Sequence, residues 1–320
     1  MLKNLVLVAD LGNYETKYWT GEWQPHAIRS VQTQLTGGTR ALRATDSSPL
    51  IEHGGKRYHF GDRAYYYRRQ SHVVEGDKAD IALLSTLACC NFQDLEYCLQ
   101  VRTSHPTPEL VGDRIREQLL GTHRFKRNGE EKIVHITGVT VEPEGVGAYR
   151  HAKSKGLVPS RGLTLLIDIG GGTWISRLFD ATGEIIDQSS DEKGGVYKLA
   201  ASIGFDDRLI QAIGGTRPEP GVIMNGFANQ SHYYGEMSNA SWQPYLSEHL
   251  EPWFKEIKSK AKSQYQPHFA NIKRILLTGG GSLLVQGLLH SSFAIVPSPR
   301  FANVLGLLPE TEIRQWRTAS

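Results

Sequence analysis

Three times along this chain a run of apolar, largely β-branched or leucine residues ends in a glycine-rich turn, and at two of these ends an aspartate is delivered into the turn. The fullest copy is Leu165-Leu166-Ile167-Asp168-Ile169-Gly170-Gly171-Gly172-Thr173. The residues up to Ile167 have the composition of a strand buried on both faces. The glycines behind Asp168 permit a sharp turn and let backbone N–H groups approach a ligand with no Cβ between them. Consecutive N–H groups in such a turn form a concavity for an anionic oxygen, of which phosphate is the usual case. A carboxylate beside it is placed to hold a hydrated Mg2+, an ion that keeps several waters and takes few direct protein ligands. The first copy lies near the N-terminus, where Leu5-Val6-Leu7-Val8-Ala9 leads into Asp10-Leu11-Gly12-Asn13 and then Tyr14-Glu15-Thr16-Lys17. The third is Ile275-Leu276-Leu277-Thr278-Gly279-Gly280-Gly281-Ser282, followed by an apolar run from Leu283 to Leu289 that reads as helix. One such turn is equally an ordinary strand-to-hairpin connection. Three in this order form the constellation of a two-lobed nucleotide clamp.

A fourth stretch adds chemistry. The β-branched run Lys132 to Val141 reads as a strand and ends in Glu142-Pro143-Glu144-Gly145. Hydrolysis of a terminal phosphate needs a group that orients or deprotonates the attacking water, and a carboxylate at a strand end can do this. On residue type alone Glu142 and Glu144 both qualify, since they share a face of an extended chain.

Composition excludes several other classes. The 320 residues, 39% hydrophobic and 22% charged, suffice for one large two-lobed unit or two ordinary domains. No segment approaches the roughly 18 apolar residues of a membrane span, and Met1-Leu2-Lys3-Asn4 runs straight into the first strand without a secretory pattern. The expectation is a soluble, cytoplasmic protein. Cys89, Cys90 and Cys98 are an odd number of thiols without C-x-x-C spacing, which argues against a disulfide framework or a zinc site. A net charge of +3 is too mild to imply direct nucleic-acid binding, so any link to DNA is expected to run through an adaptor protein. The sequence contains no G-x-x-x-x-G-K-[ST], H-E-x-x-H or G-x-S-x-G.

Between the motifs, periodicity and turn residues predict a strand at Thr16 to Thr20 and two short strands around Gly54-Gly55, and the basic and aromatic run Arg63 to Arg69 reads as a half-exposed helix with inward tyrosines, with an interface or a nucleic-acid stacking surface as the alternative. The same signals predict helices at Ala79 to Cys90 and Glu109 to Leu120, and a strand at Glu96 to Val101. Strands follow at Trp174 to Phe179 and Glu184 to Asp187. A helix opened by Gly194-Gly195 is expected to run through Ile203 to Ile210, Pro218 to Gly221 to be a turn, and Leu246, Leu250, Trp253, Ile257 and Ala261 to mark the core face of a long helix.

Taken together, Asp10-Leu11-Gly12-Asn13 with Thr16-Lys17, Asp168 to Thr173, and Thr278 to Gly281 resemble the actin, Hsp70 and sugar kinase ATPase superfamily. Within it the D-x-G-N-x-x-T-K form is similar to bacterial and archaeal actin-like proteins of the ParM/StbA plasmid-segregation type. The resemblance runs from Val6 to about Leu308. It implies an α/β, actin-like two-lobed ATPase fold in which each lobe is a mixed, ribonuclease H-like sheet flanked by helices, with nucleotide in the interlobe cleft. Lobe I would span residues 1–160, with a small outer subdomain at about 29–75, and be completed by a C-terminal helix at about 302–320. Lobe II would span 161–301. The implied nucleotide contacts are Asp10, Gly12, Asn13, Thr16, Lys17, Asp168, Gly170, Gly171, Gly172, Thr173, Lys193 at the ribose, and Gly279, Gly280 and Gly281 toward adenosine. Asp10 and Asp168 would act on Mg2+ through water, and Lys17 would reach the β-phosphate. The Pro-Glu pair resembles the motif that positions the lytic water, which assigns that role to Glu144, with Glu142 as the alternative. The implied activity is hydrolysis of ATP, or of GTP, coupled to head-to-tail filament assembly and disassembly. Plasmid or DNA segregation, or a related cytoskeletal role, would use a DNA-binding adaptor and no direct membrane anchor. A small-molecule or sugar kinase of the same superfamily and a non-polymerising actin-like adaptor are the alternatives. Such kinases carry a catalytic Asp where this chain has Pro143-Glu144, and Glu310 to Ser320 shows no amphipathic anchor.

Overall fold

The computed structural model describes residues 2–21, 24–68, 78–191 and 193–308. By its contacts the chain divides into two compact units, Met1–Ala148 with Asn303–Ser320, and Tyr149–Ala302.

The first unit is built on a nine-stranded sheet. Its strands are β1 (Lys3–Leu11), β2 (Glu15–Trp19), β3 (His26–Arg29), β4 (Gln32–Leu35), β5 (Leu50–His53), β6 (Lys56–Phe60), β7 (Glu96–His105), β8 (Gly121–Arg127) and β9 (Glu130–Pro143), and its helices are α1 (Asp62–Arg68), α2 (Ala82–Cys89), α3 (Pro108–Leu119) and the start of α4 (Val146–Ser154). The spatial order is β3-β2-β1-β7-β9-β8-β5-β6-β4. Only β1, β7 and β9 run parallel. They are also the strands whose carboxyl ends bring Asp10, Ser104 and Glu142 into register. Every residue from Val6 to Leu11 is buried, as expected of a parallel strand covered on both faces. Leu7, Ala9 and Leu11 join Leu99, Val101, Val134 and Ile136 from the neighbouring strands and Leu87, Ile115 and Leu119 from α2 and α3 in one core.

Strand β8 has no counterpart in the sequence reading, because Gly-Thr-His-Arg-Phe-Lys-Arg hides its alternation under polar residues. Asn128 and Gly129, with φ of 56° and 90°, form the left-handed two-residue turn that pairs it with β9. Cys98 lies on β7, not on the helix that carries Cys89. In α1 Tyr67 turns inward, its hydroxyl 3.3 Å from His59 Nδ1, whereas Tyr66 is 75% exposed. Arg69, the end of that basic and aromatic run, lies outside the described residues, as does the chain after Leu308.

The second unit contains β10 (Leu163–Ile169), β11 (Trp174–Phe179), β12 (Ile185–Asp191), α5 (Val196–Ile203), α6 (Asp207–Ala212), α7 (Pro220–Ala228), the hairpin β13 (Tyr233–Tyr234) and β14 (Met237–Ser241), α8 (Leu246–Gln264), β15 (Ile272–Thr278) and β16 (Phe293–Ile295). The six-residue α9 (Ala302–Leu307) follows. The main sheet has the order β12-β11-β10-β15-β16, with β10, β15 and β16 parallel. Three expectations are corrected here. The helix after Gly195 does not run through to Ile210. It stops at Gly204, and Asp206 opens α6 by accepting the Arg208 N–H at 2.9 Å. Pro218 to Gly221 is not a free turn, because Pro220 occupies the first turn of α7, where its missing N–H has no cost. The apolar run after Gly281 forms only short 3-10 turns at Gly280–Leu283 and Gln286–Leu288, since the glycines bracket too few residues for a helix nucleus.

The α6 cap carries a pH prediction. Hydrogen bonds from the Arg208 side chain, from His249 Nε2 at 2.9 Å and from the Arg208 N–H hold the Asp206 carboxyl well below the usual carboxylate range. A carboxyl whose folded pKa is depressed contributes stability that is present above its unfolded pKa of about 3.9 and is lost as pH falls through its folded value. Asp206→Ala is therefore expected to lower the unfolding free energy at pH 7 by about 1 kcal/mol, the usual magnitude for a lost N-cap. Urea titrations of both proteins from pH 7 to pH 2 should show the difference shrinking as pH falls below about 4.

Candidate functional site

In the first unit, parallel pairing sets Ser104 of β7 opposite Asp10 of β1, and Glu142 of β9 opposite Ser104. Cross-strand partners share a face. Asp10, Ser104 and Glu142 therefore form a row across the carboxyl ends of three strands. Asp10 is buried, with Oδ2 3.2 Å from Lys17 Nζ and Oδ1 accepting from Ser104 Oγ at 3.4 Å. Lys17 reaches it because the β1–β2 hairpin pairs the two residues directly. The turn between these strands is clamped by Ser30, whose Oγ donates to the Gly12 carbonyl and whose N–H donates to the Tyr14 carbonyl at 3.1 Å. In a trans peptide the N–H points opposite to the preceding C=O. The Asn13 N–H accordingly faces away from Ser30, while the Gly12 N–H is spent on the Asp10 carbonyl at 3.0 Å. Thr16 is buried against Ser30, with 3.4 Å between the hydroxyls. Glu144 follows the last cross-strand pair of β7 and β9, His105 with Pro143. It is buried, its N–H donating to the His105 carbonyl at 2.9 Å, and Gly145 with φ of 94° turns the chain into α4.

The second unit builds its turn differently. Helix α5 has no side-chain N-cap. Its first N–H groups are satisfied by the glycine turn itself: Gly195 donates to Gly172 at 3.1 Å, Val196 to Gly170 at 3.0 Å and Tyr197 to Gly171 at 2.7 Å. Three consecutive carbonyls thus point at the helix. Among the described residues every peptide is trans, so the next N–H groups, of Gly171, Gly172 and Thr173, all point the other way. Such a row is a nest for an anion. Gly195 makes the close approach possible, since a Cβ there would lie 2.6 Å from Gly172 C, 2.7 Å from Gly170 O and 2.7 Å from Thr173 N.

The third glycine turn packs against the second. Thr278 pairs with Asp168 across β10 and β15. A Cβ on Gly279, whose φ is 79°, would run into Asp168 Oδ1 and the Ile169 carbonyl, and one on Gly281 would sit 2.5 Å from Ile169 Cγ2. Gly279 and Gly281 are glycines because a neighbour occupies the space. Gly280 is exposed, with nothing within 4 Å of a built Cβ. Lys193 lies in the turn before α5, its side chain exposed and its N–H donating to Asp191 Oδ1 at 3.1 Å.

Of the residues singled out from sequence, Asp10, Gly12, Asn13, Thr16, Lys17, Glu142 and Glu144 are gathered at one sheet end of the first unit. Asp168, Gly170 to Thr173 and Gly279 to Gly281 are gathered in the second, with Lys193 just ahead of α5. Sequence reasoning missed Ser30, Ser104 and Asn303 as supports of the first turn, and Gly195 as the residue that seats the second. The Gly194-Gly195 pair was the one visible signal. The donor set fits a magnesium nucleotide. Row-wise N–H groups suit phosphate, and the built Cβ of Gly195 shows that the cradle tolerates only glycine. No group of three or more His, Cys, Asp or Glu lies together among the described residues. A Mg2+ held by isolated carboxylates, phosphate oxygens and water needs none.

Residues 9–147 match the sequence profile of the actin like proteins N terminal domain. No curated protein matches the sequence. Among solved structures, the archaeal actin homologue Ta0583 in complex with ADP shares 18% identity and superposes with a TM-score of 0.75, covering 99% of this chain and 100% of that one. The apo pSK41 ParM protein shares 16% identity at a TM-score of 0.65, over 99% and 100% of the two chains. The subunit of a 15-stranded ParM filament from Clostridium botulinum shares 16% at 0.72, over 98% and 100%. At such identities the likeness speaks for the fold. The chain thus has the two-lobed fold of ParM and the archaeal actin homologues, and its residues 9–147 match the N-terminal domain of the actin like proteins.

Proposed function

We propose that this protein is an ATPase that binds Mg-ATP and polymerises head to tail into filaments, which disassemble as the nucleotide is hydrolysed. The observation that carries the reading is the row of Gly171, Gly172 and Thr173 N–H groups turned away from α5, beside a strand that ends in Asp168. The Asn13 N–H beside Asp10 repeats the arrangement in the first unit. In this reading the glycine turns bind the β- and γ-phosphates, Lys17 offsets charge near the β-phosphate, and Asp10 and Asp168 orient the waters of the metal. Mg2+ would neutralise charge developing on the phosphate oxygens. Glu144 holds the attacking water, the third turn of Gly279, Gly280 and Gly281 lies toward the nucleoside, and Lys193 is assigned to the ribose. The nucleotide is ATP by the family pattern, and GTP is the competitor to test.

Polymerisation is supported by the C. botulinum ParM filament and by the Alp12 filament, whose subunit shares 16% identity at a TM-score of 0.68. Heterologous contacts that do not close generate open filaments. A cytoplasmic role in plasmid or DNA segregation through a DNA-binding adaptor is the accompanying proposal. Among the described residues no helix is long and apolar enough to cross a membrane.

Right-angle light scattering on mixing with Mg-ATP tests the reading. Scattering should rise above a critical protein concentration and decay as ATP is consumed, with ADP as the control. Flat scattering at every concentration would remove the filament, and absence of ATP binding by calorimetry would remove the nucleotide as well.

A further inference from the structure

Asn303, the second residue of α9, sits in the first unit although the residue before it belongs to the second. It is buried, and a Cβ on Gly147 of α4 would lie against its carbonyl, so the two helices meet backbone to backbone at this point. Its Nδ2 donates to Ser104 Oγ at 2.8 Å, and Ser104 Oγ donates in turn to Asp10 Oδ1 at 3.4 Å. The chain of bonds has a direction. The amide N–H can only donate and the carboxylate oxygen accepts, so Ser104 takes a bond from Asn303 and gives one to Asp10, and each bond polarises the next. Asp10 is then held from two sides, by Ser104 on Oδ1 and by Lys17 on Oδ2 at 3.2 Å.

The cost of this arrangement is visible. Asn303 Oδ1 is buried and finds no hydrogen-bond partner among the described residues. A buried carbonyl left unpaired is destabilising, and an apolar side chain of similar volume would avoid the penalty. Asparagine at this position therefore does not maximise packing stability. What it provides is the N–H that sets Ser104.

We infer that Ser104 and Asn303 are positioning residues for Asp10, fixing its carboxylate for the waters of Mg2+ on the bound nucleotide. The inference rests on the nucleotide reading above. Neither residue touches substrate; they act through Asp10. Without them the carboxylate rotates about its χ angles, and the cost falls on metal-assisted binding, with nucleotide affinity in the absence of metal unaffected.

The test is a Mg2+ titration of the binding of a fluorescent ATP analogue, with EDTA as the baseline, on the full chain and on Ser104→Ala, Asn303→Leu and the double variant. Each single change should raise the Mg2+ concentration for half-saturation about tenfold, a loss of about 1.4 kcal/mol, with affinity in EDTA unchanged. The double variant should be no worse than the singles, because both cut one relay. The melting temperature of Asn303→Leu without nucleotide should equal or exceed that of the wild type, which a purely structural asparagine would not allow. A Mg2+ midpoint unchanged in the single variants would overturn the inference, as would an Asn303→Leu protein that loses stability while keeping the wild-type midpoint. If the wild type itself fails to bind the analogue with Mg2+, the nucleotide reading falls, and the relay inference with it.

Discussion

Gly195→Ala is expected to lower ATP affinity by at least a hundredfold while leaving a folded protein. The added Cβ would sit 2.6 Å from Gly172 C and 2.7 Å from both Gly170 O and Thr173 N. All three are backbone atoms of a turn closed by its own Gly170 N–H to Thr173 O bond of 2.9 Å, so no flexible side chain can give way. Either α5 retreats or the turn deforms. In both cases the bonds from Gly195, Val196 and Tyr197 to the three carbonyls are lost or lengthened, and with them the constraint that turns the following N–H groups to one side. A hydrogen bond to a charged ligand contributes about 1.5–3 kcal/mol, so misaligning two of them amounts to about 3 kcal/mol or more, or at least a hundredfold in affinity. The overpacking itself should cost about 1–3 kcal/mol of stability, which thermal unfolding reports separately. Gly287→Ala is the control, since a Cβ there meets nothing within 4 Å. Calorimetric ATP affinity of Gly195→Ala within threefold of wild type would show that the turn does not hold phosphate.

The contrast between Gly195 and the third turn shows where the sequence was legible. Strands β1, β10 and β15 declare themselves because both their faces are buried, so the apolar run is continuous and its glycine terminus obvious. What a glycine is for does not show in the same way. Gly279 and Gly281 read from sequence as part of a nucleoside floor, and the structure adds that Asp168, Ile169 or Val196 occupies the space a side chain would need at each. Only the register of β15 against β10 reveals that. Long-range polar supports were equally silent. Ser30 and Asn303 look like ordinary loop and helix residues until the fold brings them to Gly12 and Ser104. Strand β12 extends past the sequence expectation because this edge strand alternates half-buried and exposed positions, and its Ser189-Ser190-Asp191 end looks like a loop. The cap of α6 was legible in part: Asp206 is a capping residue by type, but the break at Gly204 that calls for a cap depends on tertiary packing.

Glu144→Gln should reduce ATP turnover by about a hundred- to ten-thousandfold, the usual worth of a positioned general base, and should leave nucleotide affinity nearly unchanged. The substitution keeps the shape of the side chain and the backbone bond from residue 144 to the His105 carbonyl, so the turn into α4 at Gly145 survives. Filaments that assemble with ATP should then persist, with scattering that rises as in the wild type and fails to decay, because the step that weakens the contacts is missing. Glu142→Gln separates the two carboxylates. Glu142 belongs to β9 and is held in the cross-strand row with Ser104 and Asp10, whereas Glu144 lies past the last pair of the sheet. A residue inside the row bears on the carboxylate and metal side of the chemistry, and one beyond it projects past the strand end, where an attacking water would have to be held. Phosphate release should therefore fall steeply in Glu144→Gln and by less than about tenfold in Glu142→Gln, on the ground that removing a polar neighbour costs about 1 kcal/mol. The reverse order would transfer the water-positioning role to Glu142, and equal, small effects would remove it from this strand end altogether.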